Sequence, residues 1–108
     1  MNAANDIISQ IRALAKSGTL KITQHAAQEM AEEEIALDDV LHAISNACLL
    51  EDYPDHRRGA CSLLYGTDAR PRDIHMICTT ANPTLIIITA YLPKPPKWIS
   101  PTQRRSQS

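Results

Sequence analysis

Apolar positions recur every three or four residues up to about Asn46, and beyond it they gather into short extended runs. In Asn5–Ser17 the residues Ile7, Ile8, Ile11, Leu14 and Ala15 form the stripe of an amphipathic helix. Asn5 or Asp6 can cap its start, and Gly18 sits where a left-handed stop is wanted. Leu20-Lys21-Ile22 reads as a short extended link. Thr23 then offers a hydroxyl N-cap to a second helix, Gln24–Glu33, with Ala26, Ala27, Met30 and Ala31 turned inward. A third helix, Leu37–Asn46, buries Val40, Leu41 and Ile44. Its first turn carries Asp38 and Asp39, where negative charge suits the helix dipole.

After Ala47 the runs Cys48–Tyr53, Ala60–Tyr65, Asp73–Thr80 and Thr84–Leu92 predict strands, separated by segments rich in Pro, Gly, Asp and Asn. The separators are too short for parallel crossovers, so an antiparallel meander is expected. Leu85-Ile86-Ile87-Ile88 does not alternate, which predicts a strand inside the sheet and covered on both faces. If Ala81-Asn82-Pro83 is the hairpin loop, Thr80 lies opposite Thr84, His75 opposite Thr89 and Asp73 opposite Tyr91. Asp73, His75, Thr89 and Tyr91 would then share one polar patch, unless the register slips. The expected fold is α+β, with N-terminal helices packed on a four-stranded antiparallel sheet in a single domain over residues 1–92. Residues 93–108 hold four of the seven prolines and read as a Pro-rich basic tail, extended and partly disordered.

Composition narrows the classes. A chain of 108 residues with 44% hydrophobic and 21% charged residues is one globular domain rather than a disordered one. No apolar run approaches the roughly 20 residues of a membrane span, and no secretory signal is visible. The reading is a small cytoplasmic domain. Cys48, Cys61 and Cys78 are odd in number and include no C-x-x-C pair, which argues for free thiols without structural zinc. The formal charge of −1 is split. Residues 1–54 carry three Lys/Arg against nine Asp/Glu, a balance of −6, and residues 55–108 carry eight against three, a balance of +5. Either the basic half forms a docking surface for a polyanion, or the halves neutralise each other in the fold.

Four histidines bear on chemistry. His25 falls in the first turn of the second helix, where anions bind, so it can act as a base beside a phosphate. An ordinary surface histidine is the alternative. His75 lies within the third strand and is either a buried residue satisfied by a hydroxyl or part of a site. His56-Arg57-Arg58 occupies a loop suited to gripping phosphate, or is a solvated charge run. His42 is peripheral, and Glu32-Glu33-Glu34 reads as a solvated helix end. No nucleotide-binding or metalloprotease motif is present, and neither a metal nor a cofactor is implied.

Certain residues stand in a recognisable order. They are Thr23-Gln24-His25-Ala26, Met30, Ile35, Asp39-Val40, Leu50-Glu51-Asp52-Tyr53-Pro54-Asp55, Ile74-His75 and Ile88-Thr89-Ala90-Tyr91-Leu92-Pro93, ending in Lys97-Trp98. Over roughly residues 20–105 this order resembles the small bacterial proteins grouped as domain of unknown function 4258, a family that itself resembles the RelE-type toxins. The resemblance implies helices on a twisted antiparallel sheet, RNA as substrate and a neighbouring antitoxin protein as partner. It also implies metal-independent RNA cleavage by attack of the ribose 2′-hydroxyl on the adjacent phosphate. The matching positions imply His25 as base or acid, Tyr91 as proton donor or stacking platform, and His75 and Trp98 as further site residues. Lys97 joins Trp98 as an RNA contact, while Arg57 and Arg58 enter as phosphate contacts from charge and loop position alone. Glu34 departs from the family pattern, which usually has an arginine there. A non-catalytic RNA- or protein-binding module of the same fold is therefore the competing reading. In either case the nucleic acid is expected over the sheet, the His56-Arg57-Arg58 loop and the tail, with the acidic helices facing away and His25 reaching that surface from the second helix.

Overall fold

The computed structural model describes residues 3–17, 19–54, 59–81, 84–95 and 97–104. Helices α1 (Ala3–Ser17), α2 (Gln24–Glu32) and α3 (Leu37–Ser45) and strands β2 (Cys48–Tyr53), β3 (Cys61–Thr67), β4 (Asp73–Ala81) and β5 (Thr84–Tyr91) lie where the periodicity predicts them. The segment between α1 and α2 differs. Leu20–Ile22 is strand β1, paired in parallel with β5 at Leu20–Leu85 and Ile22–Ile87. The sheet is therefore five-stranded and mixed, in the order β1-β5-β4-β3-β2, rather than four-stranded and antiparallel. The link through α2, α3 and three strands is long enough for a parallel pairing that no single loop allows. As expected, β5 lies inside the sheet.

One face of the sheet carries the core. Ile8, Ile11 and Leu14 of α1, Ala26 and Met30 of α2, and Val40, Ala43 and Ile44 of α3 pack on Leu64, Ile74, Met76, Leu85, Ile87 and Ala90. Each Val, Leu, Ile or Met side chain among them contributes about 1.5–3 kcal/mol on burial. Ala27 and Ala31, expected inward, are exposed, and Leu41 is only half-buried. Gly66 of β3 is required by the helix above it, since a Cβ there would lie 2.1 Å from the Ala43 carbonyl oxygen. Among the described residues no helix lies over the other face, which along β5 leaves Ile86 and Ile88 half-buried. The expectation of two fully covered faces fails on that side. Asn5 and Asp6 lie inside the first turns of α1, not at its cap. The Gly18 stop falls outside the described residues.

The C-terminus of α2 is closed by backbone bonds from Glu34 N to Ala31 O at 3.3 Å and from Ile35 N to Met30 O at 2.8 Å. Glu34 takes φ 55° to make them, a left-handed conformation that usually falls to glycine. Arg72 Nη1 donates to the Glu33 carbonyl at 3.0 Å, and Arg70 and Arg72 both donate to the Glu34 carbonyl. Buried Asp68 in turn accepts from the Arg70 and Arg72 backbone and from Arg72 Nε at 2.8 Å. Burial works against its charge, but these bonds outweigh it and hold the carboxyl below its usual pKa.

The described residues beyond Leu92, 93–95 and 97–104, are not an extended tail. They contain β6 (Trp98–Ser100) and β7 (Gln103–Arg104), an antiparallel hairpin with Trp98 buried at 2% exposure. No helix among the described residues is long and apolar enough to cross a membrane.

Candidate active site

Two irregularities in the sheet build the site. In β2, Leu49 lies opposite Leu64 and Glu51 opposite Leu63, so Leu50 is the extra residue of a bulge. In β5, Ile87 lies opposite Cys78 and Thr89 opposite Ile77, so Ile88 is another. A bulge advances the two-residue alternation by one position, and residues on either side of it turn to opposite faces. Leu49 and Ile87 meet the helices. Glu51, Tyr53, Thr89 and Tyr91 face the opposite side.

The same bulge corrects the expected pairing. Ala81, not Thr80, lies opposite Thr84, and the extra Ile88 shifts the register once more, so His75 faces Tyr91 rather than Thr89. The two shifts restore the parity, so Asp73, His75, Thr89 and Tyr91 do share one face. Across three strands the register sets Tyr65, His75 and Tyr91 side by side. Tyr65 donates its hydroxyl proton to Asp73 at 2.6 Å, which with burial pushes the phenol up to about 12.

His75, in the middle of this row, is fully buried. Its Nε2 lies 2.6 Å from the Pro101 carbonyl and its Nδ1 3.2 Å from the Tyr91 hydroxyl. A carbonyl can only accept, so Nε2 carries the proton. Burial holds the ring below its usual pKa and therefore neutral, which leaves Nδ1 to accept the Tyr91 proton. Burial likewise raises the Tyr91 phenol. Trp98 stands edge-on to His75 at 4.3 Å, and the Arg104 guanidinium lies 4.6 Å over its ring. Among the described residues the buried indole N–H has no hydrogen bond of ordinary geometry, although its nearness to Tyr91 offsets part of the burial effect on that phenol.

Helix α2 reaches this face through the β5 bulge. Thr23 Oγ1 donates to the Ile88 carbonyl at 3.0 Å and accepts from Ala26 N at 3.1 Å, while Thr23 N donates to the Ile87 carbonyl. The cap of the helix is thus also the cap of the bulge. His25 and Glu29, one turn apart on the same side of α2, follow from it, with His25 Nε2 3.3 Å from Glu29 Oε1. Glu29 also accepts from Ala90 N at 3.2 Å, a donor beyond the end of β1.

His25, Glu29, Tyr53, Ile77, Thr89, Tyr91, Lys97 and Arg104 line one open cleft of about 530 Å³. His25 has 68% of its side chain exposed, and Tyr91 is half-buried. Lys97 lines the rim with no ion pair among the described residues. His75 and Trp98 support the cleft from beneath. Trp98 is buried at 2% exposure with Arg104 over its ring, so it does not offer RNA an open face. Arg57 and Arg58 lie outside the described residues. Helix α2 does not face away, because it supplies one wall.

The two halves of the chain neutralise each other over much of the surface. Arg70 and Arg72 pair with Asp39, Lys94 pairs with Glu33, and Arg104 makes a bidentate pair with Glu51. Hydrogen bonding from Arg104 holds Glu51 down to about pKa 2. Burial and the Glu51 bond push the Tyr53 phenol up to about 12. Among the described residues no group of His, Cys, Asp and Glu is arranged to hold a metal ion. Cys78 is a buried free thiol and Cys48 an exposed one, while Cys61 is buried with its Sγ donating to the Gly59 carbonyl at 3.3 Å.

Sequence reasoning missed Glu29, Glu51, Tyr53 and Arg104. Glu29 was within reach through its i,i+4 spacing from His25. The Glu51–Arg104 pair joins residues with no local signal between them.

The family model described as domain of unknown function (DUF4258) matches residues 22–92. That span covers α2, α3 and strands β2 to β5, and with them His25, His75 and Tyr91. No curated protein and no solved structure matches the chain.

Proposed function

The chain belongs to this domain-of-unknown-function family, and we propose that it is a metal-independent endoribonuclease resembling the RelE-type toxins. The observation that carries the reading is the exposed His25–Glu29 pair on one cleft with Tyr91, Lys97 and Arg104. In the reaction, His25 takes the proton of a ribose 2′-hydroxyl as its oxygen bonds to the adjacent phosphorus. The bond to the 5′-oxygen breaks, that oxygen takes a proton from water, and the His25 imidazolium returns its own proton to the solvent. The products are a 2′,3′-cyclic phosphate and a 5′-hydroxyl. Glu29 stabilises the imidazolium that forms, and a base placed in this way supplies about 10²–10⁴ in rate. Tyr91, whose own proton is directed to His75, serves as a platform for a base or sugar rather than as the acid. This reading brings an antitoxin as protein partner and the cytoplasm as the place of action.

The test is incubation of metal-free protein with total RNA, followed by end-group analysis. Cyclic phosphate and 5′-hydroxyl ends are expected, with His25→Ala binding RNA but not cutting it. Undiminished cleavage by His25→Ala would overturn the assignment.

A second reading, a non-catalytic RNA- or protein-binding module, draws on the internal pairing of Arg70, Arg72, Lys94 and Arg104. Binding without fragments in the same experiment would favour it.

A further inference from the structure

Arg104 is held on three sides and open on the fourth. Nε and Nη2 donate to the two carboxylate oxygens of Glu51 at 2.6 and 2.7 Å, and Nη2 also donates to the Tyr53 hydroxyl at 3.2 Å. The planar face rests on Trp98, itself wedged against His75. A guanidinium has five N–H donors. Among the described residues, the two on Nη1 have no hydrogen-bond partner, and Arg104 is one of the residues lining the cleft.

An arginine fixed by a bidentate carboxylate and an indole has already lost its rotamer freedom, so a ligand need not supply the ordering. The planar edge it presents suits a phosphate oxyanion. Lys97 on the same rim adds a second cation. Glu51 also neutralises most of the charge that a ligand would feel, and it stands on the far side of the guanidinium from Nη1.

We propose that Arg104 is the anion hook of the cleft, binding a non-bridging oxygen of one nucleic-acid phosphate through Nη1, with Glu51 as its positioning carboxylate and internal counter-charge. The ligand class rests on the ribonuclease reading; the hook itself rests on the geometry of Arg104.

Two probes separate these. One is inorganic phosphate and the other a 2′-O-methyl oligoribonucleotide, which cannot be cut, each titrated at several salt concentrations. Arg104→Gln should weaken oligonucleotide binding about tenfold and reduce the log–log salt slope by about 0.7. Glu51→Gln keeps an acceptor for Arg104 and removes the charge, so it should tighten binding of both probes about threefold. Trp98 fluorescence reports whether the hairpin stays docked in each variant. Unchanged or weaker binding in Glu51→Gln with the hairpin docked overturns the hook. So does oligonucleotide binding indifferent to Arg104→Gln, which leaves the ribonuclease reading standing. Phosphate binding that depends on Arg104, with no oligonucleotide binding, keeps the hook and overturns the RNA reading. Binding of neither probe overturns both.

Discussion

His75 on β4 accepts the phenol proton of Tyr91 on β5 at 3.2 Å while its other nitrogen donates to the Pro101 carbonyl at 2.6 Å. One buried imidazole thereby joins the sheet to the hairpin that covers it and fixes the direction of the Tyr91 proton. Tyr91→Phe leaves Nδ1 without a donor and should cost about 1–2 kcal/mol. His75→Ala also opens a cavity beneath Trp98 and should cost about 3 kcal/mol or more. Urea unfolding of both variants tests the order, and equal losses would refute it.

The same histidine sets a pH dependence. Its folded pKa lies below the usual 6.5 because of burial, so the unfolded chain takes up the proton first. Stability from this group is complete above about pH 6.5 and falls as the pH drops below it. His75→Phe should flatten that part of the curve, read from urea midpoints between pH 5 and pH 8.

Glu51 gives a second, more acidic window. Hydrogen bonding to Arg104 lowers its carboxyl from 4.5 to about 2, so the unfolded state binds the proton more readily below pH 4.5. Its contribution is present above that pH and is lost as the pH falls through about 2. Solvent screening of this partly exposed pair limits the effect to about 1 kcal/mol. Trp98, the one tryptophan, should report the loosening of Arg104 over its ring in this range while the hairpin stays docked. Glu51→Gln should remove the transition.

Thr23 is the hinge between fold and chemistry. Thr23→Val keeps the shape but leaves the Ile88 carbonyl and the Ala26 N–H without their side-chain partner. It should cost about 1–2 kcal/mol. On the ribonuclease reading, kcat in the cleavage assay should fall with KM little changed, because His25 shifts while the cations do not. Rescue by Thr23→Ser separates positioning from simple loss of volume.

Two glycine exchanges should act in opposite directions. Glu34 sits at φ 55° in a helix-closing turn, so Glu34→Gly should stabilise by about 0.5–1 kcal/mol. Gly66→Ala drives a Cβ to 2.1 Å from the Ala43 carbonyl oxygen, and should destabilise by about 3 kcal/mol as α3 is forced off the sheet. Thermal unfolding distinguishes them by sign.

The helices, the four long strands, the Thr23 cap and the inner position of β5 were legible in the sequence, because each is encoded by residues adjacent or one turn apart. His25 was legible as a candidate for the same reason. Tertiary structure alone decided the rest. Parallel pairing of Leu20–Ile22 with β5 brings together segments far apart along the chain. Bulges at Leu50 and Ile88 break the alternation on which a sequence reading of faces depends, and it is they that turn Glu51, Tyr53, Thr89 and Tyr91 away from the core. Arg104 read as one more charge in a tail until the fold set it against Glu51 and Trp98. Periodicity reports which residues prefer burial, whereas register and long-range charge pairing depend on contacts formed only once the chain has closed on itself.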